Sequence, residues 1–127
     1  MNEDNANTVK ILRDTSMYHY HAHIYFDEAT KDIAWSIREQ IEKKWPDIDM
    51  GRFWERNVGP HPRWSFQVAF HHKDFADITK WLMFNRKDLV VFLHPQSGDE
   101  LADHRDHPIW MGEKLQLDLS MMEKKSR

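Results

Sequence analysis

Three histidines at alternate positions are the part of this sequence best suited to chemistry. His19, His21 and His23 lie within residues 17–26, an aromatic-rich run with the length and composition of a β-strand. Alternation along a strand places them and Tyr25 on one face, and Tyr20, Ala22, Ile24 and Phe26 on the other. Imidazoles bind metals and exchange protons near neutral pH. This face is therefore a candidate metal centre or catalytic surface.

Further histidines stand where the backbone is restricted or acidic. His61 lies in Gly-Pro-His-Pro, and the flanking prolines limit the freedom lost when the turn becomes ordered. His94 ends an apolar strand at residues 89–94, just before Pro95. His104 lies in an acidic segment that we interpret as a flexible loop, residues 99–106.

The elements that position these residues follow the order β-α-β-β-α-β. The first helix carries Ile33, Ile37 and Ile41 beside Ala34 and ends at Pro46, and the second carries Phe75, Ile78 and Leu82. We predict the other strands at residues 52–56, 64–70 and 89–94, a loop at 96–112, and a final edge strand containing Leu115, Leu117 and Leu119. Residues 1–16 are interpreted as a flexible arm, 17–119 as the single domain and 120–127 as a basic tail.

This order predicts an α+β fold, the ferredoxin-like split βαβ sandwich, with an antiparallel sheet and two helices on one face. Its strands run 4-1-3-2, which brings His23 and His94 onto neighbouring strands with His61 close by. We therefore expect these three histidines to bind one metal ion, such as Fe(II), Zn(II) or Mn(II). Carboxylates of Glu55, Asp99 or Asp103 could instead complete a two-histidine site.

The sheet face without helices needs a cover. Val90, Phe92 and Trp110 are predicted to lie exposed there, and an exposed apolar patch is typical of an interface or a ligand groove. We therefore expect a homodimer.

Composition excludes several other classes of function. The 127 residues include nine histidines and no cysteine, which rules out disulfide frameworks and thiolate metal sites. A net charge of −3 gives no basic surface for nucleic acid, and no apolar run has the length of a membrane helix. The N-terminal residues do not resemble a signal peptide, so we expect a cytoplasmic protein.

Several motifs together resemble the DOPA 4,5-dioxygenase family, whose members are small extradiol ring-cleaving dioxygenases. They run in the same order over residues 18–119 and are Tyr20-His21-Ala22-His23-Ile24-Tyr25-Phe26, Val58-Gly59-Pro60-His61-Pro62, Trp81-Leu82-Met83-Phe84-Asn85-Arg86, Leu93-His94-Pro95-Gln96-Ser97-Gly98-Asp99-Glu100-Leu101, Asp103-His104 and Trp110-Met111-Gly112. The resemblance places the family's histidines at His23, His61, His94 and His104.

The resemblance implies an Fe(II)-dependent extradiol dioxygenase that acts on a catecholic, DOPA-like substrate and O₂, with Zn(II) a possible occupant after purification. His23, His61 and His94 would bind the metal. His104 and His61 would serve as acid and base. His21, Tyr25, Phe92 and Trp110 are expected to contact the substrate. Two alternatives stay open: a non-catalytic dimeric protein that binds a metal or an aromatic ligand, and a Zn(II) hydrolase.

Overall fold

Five strands form one antiparallel sheet in residues 18–126, the part of the chain described by this computed structural model, in the spatial order β2-β3-β1-β4-β5. The strands are β1 His19–Phe26, β2 Asp49–Met50, β3 Trp64–His71, β4 Val91–Gln96 and β5 Ile109–Met111. The helices are α1 Lys31–Lys44, α2 Phe75–Asn85, α3 Glu100–Arg105 and α4 Ser120–Lys125. The first four strands follow the order 4-1-3-2, which confirms the predicted ferredoxin-like arrangement.

The main core lies between the sheet and the helices α1 and α2. Alternate residues of β1 and β3 enter it, as the period of two predicts. The helices contribute Ala34, Ile37, Ile41, Ile78 and Leu82. Ile33 was predicted to join them but is 42% exposed, because it lies in the first turn of α1 at the edge of the apolar stripe.

The other face of the sheet is covered by the same chain. The segment after β5, residues 113–119, packs Leu115, Leu117 and Leu119 against a second cluster that contains Tyr25, Val90 and Phe92. Phe92 is fully buried and Val90 is 7% exposed, so the prediction that they lie uncovered is wrong. Val90 and Phe92 therefore give no support for a homodimer, which stays a prediction.

The short elements differ from those predicted. The second strand is Asp49–Met50 rather than residues 52–56, where Trp54 makes only an isolated bridge to Ser65. The segment with Leu115, Leu117 and Leu119 alternates like a strand but forms none, because its leucines cover the sheet instead of pairing at its edge. The predicted loop after Gln96 contains α3 and β5.

Strand β4 runs past Pro95, where the sequence predicted its end. Strand β5 pairs only with residues 91–93, so β4 is a sheet edge at Pro95. A proline is tolerated there because its missing N–H would face no partner strand.

The predicted arm at residues 1–16 lies outside the described residues. Most of the predicted basic tail forms α4. Within residues 18–126, no helix combines the length and the apolar character needed to cross a membrane.

Candidate metal centre

Three imidazoles meet on the face of the sheet opposite α1 and α2. His21 and His23 lie on the same face of β1, and the antiparallel register places His94 of β4 directly opposite His21. One ring nitrogen from each of these histidines lies within 4.8 Å of those of the other two. The predicted approach of His23 and His94 is thus present, and His21 joins them.

His23 and His94 form the closest pair in this group. Their Nε2 atoms are 3.1 Å apart, and the two side chains are 5% and 1% exposed. Two imidazole nitrogens bound at about 2.1 Å to one ion and at right angles to it would lie about 3.0 Å apart. The observed separation therefore suits two ligands of a single ion.

A hydrogen bond to the backbone prepares His94 for this role. Its Nδ1 lies 2.8 Å from the carbonyl oxygen of Pro95, to which only a protonated Nδ1 can donate. A neutral His94 then carries its lone pair on Nε2, which points to His23. Such contacts fix the tautomer and the orientation of metal-binding histidines.

The imidazoles of this face are held in the neutral form. Burial, followed by the charge of His104, lowers the pKa of His94 to about 3. Burial is also the main cause of the low pKa of His23, with contributions from His61 and His94, and of the lowered pKa of His21. Neutral imidazoles are the form that binds metals.

His61 reaches the same face through the turn before β3. Its ring centroid lies 4.2 Å from that of His23, but its Nδ1 lies 2.6 Å from the hydroxyl oxygen of Tyr25. Burial, and then the charge of His104, lowers the pKa of His61 to about 4. His61 therefore lies beside the group of three but is not one of the residues whose ring nitrogens lie within 4.8 Å of one another, and its predicted role as a ligand stays a prediction.

The sequence predicted His104 in a flexible loop, but His104 lies on α3. Its Nδ1 donates to the carbonyl of Glu100 at 2.8 Å, which leaves Nε2 free, and its ring centroid is 4.1 Å from that of His94. The buried carboxylate of Asp103 attaches α3 to the end of β4 by accepting from Ser97 N at 2.8 Å and from Ser97 Oγ at 2.6 Å. This attachment was not predicted from the sequence.

The three carboxylates considered as alternative ligands are engaged elsewhere. Glu55 pairs with Lys31 at 2.6 Å, Asp99 caps α3, and Asp103 binds Ser97. Within residues 18–126 the metal-binding group consists of histidines alone. This donor set suits divalent iron, zinc or manganese.

The covering segment, residues 113–119, buries some of the side chains expected to contact a substrate and leaves others partly exposed. Tyr25 and Phe92 are buried beneath it, whereas Trp110 is half-buried, with its ring centroid 4.6 Å from that of Phe92. Trp110 and His104 line a cavity of about 340 Å³, together with Arg105 and Lys114. A larger cavity of about 560 Å³ is lined by His19, and none of the three grouped histidines lines either cavity.

Known proteins resemble this chain over most of its length. Residues 20–121 match the profile of the Dopa 4,5-dioxygenase family. An uncharacterized 21.2 kDa protein of Botryotinia fuckeliana is 38% identical over 116 residues, and a DOPA 4,5-dioxygenase of Amanita muscaria is 28% identical over 126. The matches cover 83% and 93% of this chain but only 63% and 55% of those relatives.

A solved structure extends this similarity to the fold. A candidate dioxygenase from Nostoc punctiforme is 35% identical and superposes with a TM-score of 0.84. The match covers 89% of this chain and 98% of that one.

Proposed function

Because this chain belongs to the Dopa 4,5-dioxygenase family, we propose that it is an Fe(II)-dependent extradiol ring-cleaving dioxygenase for a catecholic, DOPA-like substrate. The observation that carries the proposal is the group of His21, His23 and His94, whose ring nitrogens lie within 4.8 Å of one another. Three protein ligands leave positions on an iron ion for a catechol and for O₂.

His23 and His94 would hold the iron. For the third ligand, His21 has the support of its place in the group of three, whereas His61 lies beside that group. When bound, Fe(II) supplies the site at which a catechol and O₂ are brought together for cleavage of the ring.

Proton transfer would belong to His104. Its Nδ1 is held by the carbonyl of Glu100, so its free Nε2 is the atom that can accept a proton from a catechol hydroxyl and return it later. The ring lies against His94, and a proton taken there is therefore removed next to the metal ligands.

The substrate would enter by the cavity that His104 and Trp110 line. Its volume of about 340 Å³ is at the lower end of the range of small-molecule sites. The indole of Trp110 offers a flat apolar surface for a catechol ring. Tyr25 and Phe92 would contact the substrate only if residues 113–119 moved aside.

Metal content tests the ligand assignment. We expect His23→Ala and His94→Ala to lose stoichiometric Fe(II) or Zn(II), and we expect the exposed His107→Ala to retain it as the matched control. His21→Ala and His61→Ala decide the third ligand, since only the variant of a ligand should lose metal. Full retention by folded His23→Ala or His94→Ala would remove that residue from the site.

Activity tests the reaction. The protein is loaded with Fe(II) without oxygen and then given O₂ and a panel of catechols that includes DOPA. We expect a yellow ring-opened product and the uptake of one O₂ for each catechol consumed. Tight binding of Zn(II) without any oxygen uptake would refute the proposal and favour a non-catalytic metal-binding protein.

A further inference from the structure

We propose that Tyr25 fixes the tautomer of His61, so that His61 presents a proton on Nε2 and serves the site as a neutral hydrogen-bond donor rather than as a metal ligand. Tyr25 is then a positioning residue that acts through His61. The catalytic part of this proposal rests on the proposed function, whereas the tautomer can be tested in the metal-free protein.

The contact between the two side chains is short and enclosed. The hydroxyl oxygen of Tyr25 lies 2.6 Å from Nδ1 of His61, within the range of strong hydrogen bonds. Tyr25 is 1% exposed and packs with Val90, Phe92 and Leu117. Within residues 18–126 its hydroxyl has no other hydrogen-bond partner among the protein's own atoms.

The direction of this hydrogen bond follows from counting protons. A phenol keeps its proton at neutral pH, and a buried hydroxyl needs an acceptor for it. Only Nδ1 of His61 is available, so Tyr25 donates and His61 accepts. If Nδ1 carried a proton and donated instead, the phenol's own proton would be buried without an acceptor, which is the costlier arrangement.

The protonation state of the other ring nitrogen of His61, Nε2, is then determined as well. A neutral imidazole has one protonated nitrogen and one lone pair. With the lone pair of Nδ1 engaged, the proton must be on Nε2, and a nitrogen in that state cannot bind a metal ion. In this state His61 would lie 4.2 Å from His23, centroid to centroid, without serving as a metal ligand.

The backbone of the turn holds His61 in this position. The N–H of Asp118, in the covering segment, donates to the carbonyl of Pro60 at 2.9 Å, and the N–H of His61 donates to Val58 at 3.0 Å. Arg63 pairs with Glu113 of the same segment at 3.0 Å. The imidazole of His61 is thus held in place by the backbone of its turn, by the hydroxyl of Tyr25 and by the ring of His23.

A fixed neutral donor suits a reaction in which oxygen atoms become negatively charged. An N–H that is already oriented stabilises such charge without reorganising during the reaction. In this division of roles, the grouped histidines hold the metal, His104 moves the proton and His61 stabilises negative charge on oxygen.

The tautomer can be read directly by NMR. Histidine labelled with ¹⁵N in the metal-free protein gives distinct two-bond correlations for the two neutral tautomers, and His61→Ala identifies the signals of residue 61. We expect His61 to be protonated on Nε2 in the parent and to become a mixture of tautomers in Tyr25→Phe. The matched control is Tyr20→Phe, on the opposite face of β1, which should leave these signals unchanged.

Two NMR results would overturn the proposal. One is a parent protein in which His61 carries its proton on Nδ1, and the other is a Tyr25→Phe variant with the tautomer of the parent. Retention of the phenyl ring keeps the packing of Tyr25, so a change in tautomer would report the hydroxyl and not a lost core contact.

Metal binding and kinetics separate this proposal from the proposed function. Tyr25→Phe and His61→Ala should bind Zn(II) with the parent's stoichiometry, and loss of metal from folded His61→Ala would overturn the proposal. In the active enzyme, His61→Ala should lower kcat on the order of 10²-fold, and Tyr25→Phe should lower kcat by a smaller factor with little change in KM. A protein that shows the expected tautomer but no oxygenation would refute the proposed function and leave the assignment of Tyr25 standing.

Discussion

Acid should destabilise the metal-free fold through its buried histidines. Burial and the charge of His104 hold the pKa of His94 at about 3 and that of His61 at about 4, against 6.5 for an ordinary histidine. At a pH between the folded and the unfolded pKa of each histidine, the unfolded chain binds a proton that the folded chain does not bind. The free energy of unfolding therefore falls as the pH falls, by about 1.4 kcal/mol per pH unit for each such histidine.

The expected loss can be stated for one interval. From pH 6 to pH 5, each of these two histidines removes about 1.2 kcal/mol, slightly below the limiting slope because the unfolded chain is not fully protonated at pH 6. Together they remove about 2.4 kcal/mol, which is a large part of the stability of a small domain. The lowered pKa of His23 acts in the same direction.

Urea unfolding followed by tryptophan fluorescence at pH 7, 6 and 5, with a chelator present, measures this loss. His94→Asn removes one buried titrating group, so its loss between pH 6 and pH 5 should be about 1 kcal/mol smaller than the parent's. The exposed His107→Asn is the control and should show the full loss. The same loss in His94→Asn as in the parent would refute the reasoning.

Three further changes should have distinct effects. Leu117→Ala should lower the free energy of unfolding by about 2–4 kcal/mol in urea titrations, because Leu117 is buried in the second cluster, and the half-buried Leu119→Ala should cost less. Asp103→Asn should cost about 1–3 kcal/mol in the same titrations, since one of the two contacts to Ser97 is lost. His104→Gln should slow turnover by about 10²–10⁴-fold while metal content measured by atomic spectroscopy stays unchanged, and a parallel loss of metal would make His104 a ligand.

Helices and strands with a clear hydrophobic period could be predicted from the sequence. Alternation in β1 separates His21, His23 and Tyr25 from the core residues, and the order of helices and strands is sufficient to place β4 beside β1. The meeting of His23 and His94 follows from these two facts. Short elements carry no such period: β2 has two residues, and α3 has six, of which only Glu100 and Asp103 are acidic. The cap that Asp99 supplies to Ala102 is the local signal that could have revealed α3.

Two features of the site depend on distances that a sequence does not contain. The place of His21 in the group requires the register that sets it opposite His94, and an offset of two residues would keep every side chain on the same face and so would not be visible in the pattern. The engagement of His61 by Tyr25 requires the turn to fold back onto β1, which is fixed by the contact between Asp118 and Pro60. The leucines of residues 113–119 showed a correct alternation, but a covering segment and an edge strand share that pattern.

The pairing of β1 with β4 also has a consequence for folding. His21 is opposite His94, with Leu93 and Pro95 on either side of it along β4. A slip of one residue between these strands would turn His94 toward the helices and present an apolar side chain to His21 and His23. An ion that requires all three imidazoles would then bind the correct pairing and not the slipped one. Binding of the candidate metal would therefore stabilise the chains in which β4 is paired with β1 in the correct register.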